Sequence, residues 1–468
     1  MLNIRFLGAN HQVTGSCYLL EAAGRSLLVD CGLYQERPYL ERNWDPFPFA
    51  AEQMDALLLT HAHLDHSGLI PKLAREGFQG RILTTAVSAE LLPIILKDAA
   101  HLQEEDAAYK KKRHQKEGRQ GPHPEAPLYT GADVEKILPL IETAAYGKIV
   151  PLAPSLSAVF HDAGHILGSS MIEVLAGENG KTVRIIFSGD MGQWNKPLVR
   201  DPSVFDAADI VVMESTYGDR DHRDPMDTET LLAKIINETV GAGGNIVIPT
   251  FALDRAQELL YHLSRLIRTN RIPRLMSFLD SPMAAEITGV FERHPEFLDE
   301  EAVELFRSGQ NPFRFPGLKM IRSSEESRAI NRIKGSCIIL AGSGMCTGGR
   351  IKHHLVQNIS RAESTILFVG YQARGTLGRQ ILDRAAEVRI FGRLFPVRAR
   401  LEEIHGFSAH AGQTALHDWL GHFRQHPSYL FLTHGEREVS RGFAERLQKE
   451  GWNVHVPDYG EQWELKLS

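Results

Sequence analysis

The chain has 468 residues, enough for more than one domain, and its 43% hydrophobic and 24% charged residues are those of an ordinary globular protein rather than a disordered or fibrous one. No apolar run approaches the ~18 residues that span a bilayer; the start MLNIRFLGANHQVTGS lacks the features of a secretory signal, and four scattered cysteines (Cys17, Cys31, Cys337, Cys346) make no disulfide framework. The expected setting is the reducing cytoplasm, away from membranes, and the net charge of −6 excludes a wholesale basic nucleic-acid binder but not a local positive groove.

In chain order, NIRFLGA, CYLLEAA and SLLVDCG read as short strands bounded by Gly. DALLLTHAH is a further strand that runs into LLLTHAHLDHSGLI, where His61, His63, Asp65 and His66 crowd into one turn. SGLIPKLAREG has helical spacing and stops at Gly77. RILTTAVSAELLPIILKDAAHLQEE reads as a strand followed by a helix. Residues 109–127, basic with prolines, read as a solvated surface loop, with a phosphate-attracting lip as the alternative. From about residue 209, DIVVMESTYG, GGNIVIPTFALDRAQELLYHLSRLI, RLMSFLDSPMAAEI, GSCIILAGSGMCTGGRIKHHLVQNI and STILFVGYQARGTLGRQIL alternate buried strands with helices, the pattern of βα units on a parallel sheet. After Pro396 the chain reads as strand again (ARLEEIHGFSA, YLFLTHGE) and then as a helix.

Imidazole suits zinc-like ions and carboxylate bridges metals well, so the 61–66 turn is the strongest chemical signal in the chain. Turn residues side by side can point at two different centres. Further donors stand at the tips of apolar runs, where α/β sites are built: Asp30 after LLV, His165 in DAGHILGS, Asp190 after IIFSG and His434 after LFLT. A lone Asp before Gly is more simply a turn residue; the whole set together points to metal. His11 reads as a loop residue, and His101, His114, His123, His222 and His262 receive no role.

Asp30, HAHLDH (61–66), His165, Asp190 and His434 stand in the order of the metallo-β-lactamase superfamily, which the chain resembles. ESTYG (214–218), GFSAHAG (406–412) and LTHGE (432–436) resemble motifs A, B and C of the β-CASP nucleases, and AGSGMCTGGR (341–350) is similar to a Gly-rich stretch of that family. The likeness covers essentially the whole chain. It looks closest to the ribonucleases related to the endonuclease subunit of the cleavage and polyadenylation factor, in a short bacterial form. The implied fold is α/β: an αβ/βα sandwich at 1–208 and 396–468, with a β-CASP domain of parallel sheet and helices inserted at 209–395. That insert is expected to roof the site, leaving a groove for a single strand. A His at motif C accompanies RNA-processing members, so His434 favours RNA. The motif B context and the end of the chain soon after motif C weigh against ribonuclease J.

The resemblance implies two zinc ions per chain, one on His61, His63 and His165, the other on Asp65, His66 and His434, bridged by Asp190, with Asp30 orienting the turn from behind. Manganese fits the same donors. It also implies hydrolysis of RNA by water activated between the ions, leaving a 5′-phosphate and a 3′-hydroxyl. Asp65 is counted with the catalytic groups, His410 is the expected general acid, and Glu214 holds its ring or else caps the following turn. Cleavage would be endonucleolytic, with 5′-to-3′ exonuclease action as an addition. Single-stranded RNA is the expected partner, and the family admits a homodimer. Ser343, Gly344 and Met345 lie in a Gly-rich run whose backbone N–H groups suit an anion or whose glycines serve tight packing. Ser408 reads as phosphate contact or N-cap. Arg374 opens a set of seven arginines up to Arg400, set against Asp383 and Glu387, read as an RNA track or a salt-bridged surface. The competing functions are a DNA nuclease, a small-molecule metallohydrolase and an inactive RNA-processing scaffold.

Overall fold

Short apolar runs become strands, and their tips gather at one mouth. In the computed structural model, which describes residues 2–119, 125–178, 180–222 and 225–465, the first sheet takes β1 (Asn3–Phe6), β2 (Tyr18–Ala22), β3 (Arg25–Val29), β4 (Ala56–Leu58), β5 (Arg81–Thr85) and β6 (Ile141–Ala144). The second takes β7 (Ile149–Ala153), β8 (Leu156–Asp162), β9 (Ser170–Glu178), β10 (Lys181–Phe187) and β11 (Ile210–Glu214). An insert follows with β12 (Ile246–Pro249), β13 (Met276–Asp280), β14 (Leu318–Met320), β15 (Cys337–Ala341), β16 (Thr365–Phe368), the hairpin β17 (Glu387–Ile390) and β18 (Arg393–Pro396), and β19 (Arg400–Glu403). β20 (Tyr429–Thr433) and β21 (Val454–His455) return to the second sheet, and β22 (Gln462–Glu464) closes the first.

The two seven-stranded sheets run β22-β1-β2-β3-β4-β5-β6 and β21-β20-β11-β10-β9-β8-β7, each antiparallel at one end and parallel at the other. Their facing sides share one core, with Phe6, Tyr18 and Leu58 meeting Phe160, Phe187 and Phe431. Leu92 and Leu96 of the helix Ala86–Glu117 cover the outer side of the first sheet. Leu416 and Trp419 of the helix Gln413–Leu420, with Phe443 and Leu447 of Arg437–Lys449, cover the outer side of the second. Two sheets face to face with helices outside make the expected αβ/βα sandwich.

The insert carries a six-stranded, all-parallel sheet, β14-β13-β15-β12-β16-β19. Its central strands, IVIP, CIILA and TILF, are buried throughout, as a parallel sheet covered on both faces requires. The sequence divides the chain at 208/209 and 395/396. In the structure β11 pairs with β10 and β20, and β19 pairs with β16. The compact units are Met1–Asn195, Arg200–Asp221 and Ala409–Ser468 on one side, and Lys196–Val199 with His222–Ser408 on the other. The junctions therefore fall later, at 221/222 and 408/409, because each of those two strands completes the preceding sheet.

A second difference concerns residues 109–127. The helix Ala86–Glu117 runs through the first part of this stretch, so residues 109–117 are not a loop. YKKKRHQKE consists largely of good helix formers. The helix stops at Gly118, which takes the left-handed conformation (φ 63°). His114 Nδ1 lies 2.6 Å from Glu125 Oε1 beyond it. Residues 120–124 lie outside the described residues. Among the described residues no helix is long and apolar enough to cross a membrane. All four cysteines are buried and unlinked.

Candidate metal centre

β3 ends at Val29, and Asp30 then takes φ 60°, turning its carboxylate behind the 61–66 turn. Its Oδ1 accepts from the backbone N–H of Thr60 (2.8 Å), and its Oδ2 accepts from the Thr60 hydroxyl (2.8 Å) and faces His66 Nδ1 at 2.7 Å. The peptide of Asp65 presses so closely on Gly32 that a Cβ there would lie 1.7 Å from the Asp65 carbonyl oxygen. Only glycine permits that approach.

Held this way, the donors converge in two groups. In the first, His61 Nε2 and His63 Nδ1 are 3.0 Å apart, and His165 Nε2 is 3.3 Å from His63 Nδ1. Asp190 Oδ2 stands 3.5 Å from both His61 Nε2 and His165 Nε2. In the second, His66 Nε2 and His434 Nε2 are 3.3 Å apart, and Asp65 Oδ2 is 3.6 Å from His434 Nε2. Asp190 Oδ1 is 3.1 Å from His66 Nε2. Each group draws all its ligand atoms within 4.8 Å of one another, and Asp190 offers one oxygen to each.

The donors fit metal. Three imidazole nitrogens converging on one carboxylate oxygen cannot all be satisfied by the protons between them. A zinc-like ion with bonds of about 2.0–2.2 Å places its tetrahedral ligands roughly 3.3 Å apart, which is the observed spacing. The charges agree. Burial pushes the Asp190 carboxyl up, yet His434, His66 and His410 outweigh it and hold it well below the usual carboxylate range. Burial also pushes His61 well down, toward the neutral imidazole that binds metal.

Beside this centre stands His410. An antiparallel bridge between Gly192 and His410, with the Ala411 N–H donating to the Met191 carbonyl at 2.7 Å, fixes it at the tip of β10. Its Nδ1 is 3.1 Å from both oxygens of Glu214, and its Nε2 is 3.9 Å from Asp190 Oδ2. Glu214 in turn accepts from the Met191 N–H at 2.6 Å. Burial alone would lower the His410 pKa, but Glu214 and then Asp190 raise it to about 10.

His61, His63, Asp65, His66, His165, Asp190, His434, Asp30, Glu214 and His410 thus meet in one place. The remaining candidates lie in the insert. Ser343, Gly344 and Met345 follow β15, and Arg374 is exposed in the loop after β16. The Gln372 amide joins the two loops by donating to the Gly344 carbonyl (3.0 Å). Ser408 is half-buried and is not a cap, since the next helix begins at Gln413 with Gly412 as its N-cap. Two residues escaped the sequence reading. Thr60 Oγ1 lies 3.0 Å from His61 Nδ1, and Thr216 Oγ1 lies 3.1 Å from His434 Nδ1. Both adjoin the motifs (Thr60 before His61, Thr216 inside ESTYG), and that adjacency was the available signal.

A polar mouth of this kind on an αβ/βα sandwich defines a metal-dependent hydrolase. The chain matches the metallo-β-lactamase superfamily over residues 12–143, the Beta-Casp domain over 256–381, and the Zn-dependent metallo-hydrolase RNA specificity domain over 395–457. It is 40% identical to ribonuclease TTHA0252 of Thermus thermophilus, across 97% of this chain and 98% of that protein. The transcription termination factor FttA of Methanosarcina mazei is 32% identical across 96% of this chain and 69% of its own. A solved structure of a protein of unknown function from Enterococcus faecalis shares the fold at 13% identity, with a TM-score of 0.57, over 99% of this chain and 100% of that one. The chain belongs to the β-CASP family of metallo-β-lactamase-fold nucleases.

Proposed function

We propose that this nuclease hydrolyses single-stranded RNA at a two-metal centre, with zinc as the default ion, and that His410 protonates the leaving 3′-oxygen. One ion would be held by His61, His63 and His165, the other by Asp65, His66 and His434, with Asp190 between them. When bound, such a pair activates water and neutralises charge on the phosphoryl oxygens. The chain's own groups do the rest. Asp30 and Thr60 keep the 61–66 turn in register. Glu214 holds the His410 ring by Nδ1 and favours its protonated form, leaving Nε2 to deliver a proton. The expected products carry a 5′-phosphate and a 3′-hydroxyl, from endonucleolytic cuts with 5′ exonuclease action as an extension.

The observation that carries this reading is the Glu214–His410 pair beside Asp190, since a metal site alone would serve a lactamase equally well. Single-stranded RNA, a hairpin and a matched DNA strand are compared in one assay with 5′ ends mapped, for wild type and His410→Ala. The variant is expected to keep its metal and lose about 10²–10⁴-fold in rate. Cleavage by the variant at the wild-type rate overturns the acid assignment. Faster cutting of DNA than RNA overturns the substrate.

A further inference from the structure

The insert's parallel sheet places β15, β12 and β16 side by side, with Pro249 opposite Ala341 and Val247 opposite Ile366. The loops leaving their carboxyl ends are therefore neighbours, and in open α/β sheets that edge is where ligands bind. The middle loop begins Thr250-Phe251. The flanking loops supply Gly344 and Gly370-Tyr371. A Cβ at Gly344 would lie 2.7 Å from Phe251 Cδ2 and Cε2, and one at Gly370 would lie 3.5 Å from Cε2. One edge of the ring is thus lodged against two glycines, while Phe251 remains 40% exposed. Following Gly370 in the chain, Tyr371 is 62% exposed, the most exposed large hydrophobic side chain of the described insert.

The loops that carry these rings are tied down. Gln372, buried, donates from its amide to the carbonyls of Gly344 and Gly370, both at 3.0 Å. Gly378 N–H donates to the Met345 carbonyl at 3.1 Å, and Arg255 Nη1 donates to the Val369 carbonyl. Arg374 stands exposed in the same loop as Tyr371. Two open rings in neighbouring braced loops, one ring edge lodged against glycines and an exposed arginine in the Tyr371 loop, are accessible to a flat ligand. They suit planar bases joined by phosphate, which stack on an aromatic face whatever their identity.

We propose that Phe251 and Tyr371, with Arg374 alongside, form a base-stacking platform that positions single-stranded RNA on the insert. This rests on the ribonuclease reading above. Stacking is strongest for purines, so the platform gives the enzyme a preference for adenine-rich over uridine-rich strands.

The metal-loaded protein is tested with oligoadenylate, oligouridylate and, as competitor, a ribose-phosphate oligomer lacking bases. Tyr371→Ala and Phe251→Leu, which keeps bulk against Gly344 but removes the ring, are each expected to raise KM for oligoadenylate about tenfold. The expected change in kcat is small, and the KM for oligouridylate should rise by less than that for oligoadenylate. Inhibition by the base-free oligomer should not change. Tyr371→Trp should restore KM, and its added fluorescence should be quenched by oligoadenylate but not by the base-free oligomer. Unchanged KM together with absent quenching overturns the platform, as does equal weakening of the base-free competitor. A wild type inert toward RNA overturns the nuclease reading instead, and the quenching experiment still decides the platform.

Discussion

Two buried polar clusters in this molecule look alike in composition and differ in logic. In the insert, Asp280 Oδ1 accepts from Arg350 Nη1 at 2.7 Å, and its Oδ2 accepts from Ser327 Oγ at 2.5 Å and His354 Nε2 at 2.6 Å. Burial pushes that carboxyl up, but His354, Ser327 and Arg350 outweigh it and hold it low. Both oxygens of Asp280 thus meet donors, and within the network only His354 Nδ1 is left buried without a partner. In the sandwich, imidazole nitrogens face one another at 3.0–3.3 Å around Asp190. There the nitrogens crowd one another as well as the carboxylate, in groups whose ligand atoms all lie within 4.8 Å, and a cation fits among them. A buried carboxylate with histidine neighbours is thus a metal site when the nitrogens point at each other and a structural network when they point at oxygen.

The contrast breaks most sharply at the two aspartates. Asp190→Ala removes the carboxylate shared by both groups, so bound metal should fall to background by elemental analysis and RNA cleavage should vanish with it. Chelation of the wild type should do the same and lower its melting temperature, since an ion that binds only the folded state stabilises it. Asp280→Ala should leave metal content untouched yet destabilise the protein by about 3–5 kcal/mol, because it strands the fully buried His354 and removes the carboxylate that pairs with Arg350. Denaturant melts with metal analysis on both variants separate the outcomes. Metal loss in Asp280→Ala would erase the distinction.

The pH dependence sharpens it next. His410 must be protonated to act as acid, so activity falls as pH rises through its pKa, which Glu214 and Asp190 lift against burial to about 10. Glu214→Gln removes the larger of these two upward effects. The alkaline limb of the kcat profile should then move to lower pH, while metal content stays at the wild-type level. An unmoved limb would mean that another group supplies the proton.

What could be read from sequence follows the same division. The metal turn was legible because four donors occupy positions 61–66, and the distant ligands because each ends an apolar run before or within a glycine turn. Thr60 and Thr216 were not, since threonine at a strand tip reads as a β-former; only coordinates show hydroxyls against His61 and His434. The helix through residue 117 was masked by charge. Its exposed face offers no apolar stripe, and its stop at Gly118 depends on a backbone conformation that composition does not reveal. The edges of the insert were misplaced because β11 and β19 look like any buried strand, and only pairing says which sheet each joins.

The smallest expected effect tests whether the two groups of the centre are separable. Thr216 Oγ1 stands 3.1 Å from His434 Nδ1 and donates to the His434 carbonyl at 3.0 Å, holding a residue whose φ is 48°. It touches only the second group; the first relies on Thr60 and on the position of His165. Thr216→Val keeps shape and removes the hydroxyl, whereas Thr216→Ser keeps the hydroxyl and removes a methyl. Outer hydrogen bonds to a ligating histidine are worth about 10–100-fold in metal affinity. Titration with a chelator should therefore strip one ion from Thr216→Val about tenfold more easily than from wild type and leave the other unchanged, with Thr216→Ser close to wild type. Both ions leaving together would show that Asp190 couples the groups so tightly that they behave as one site.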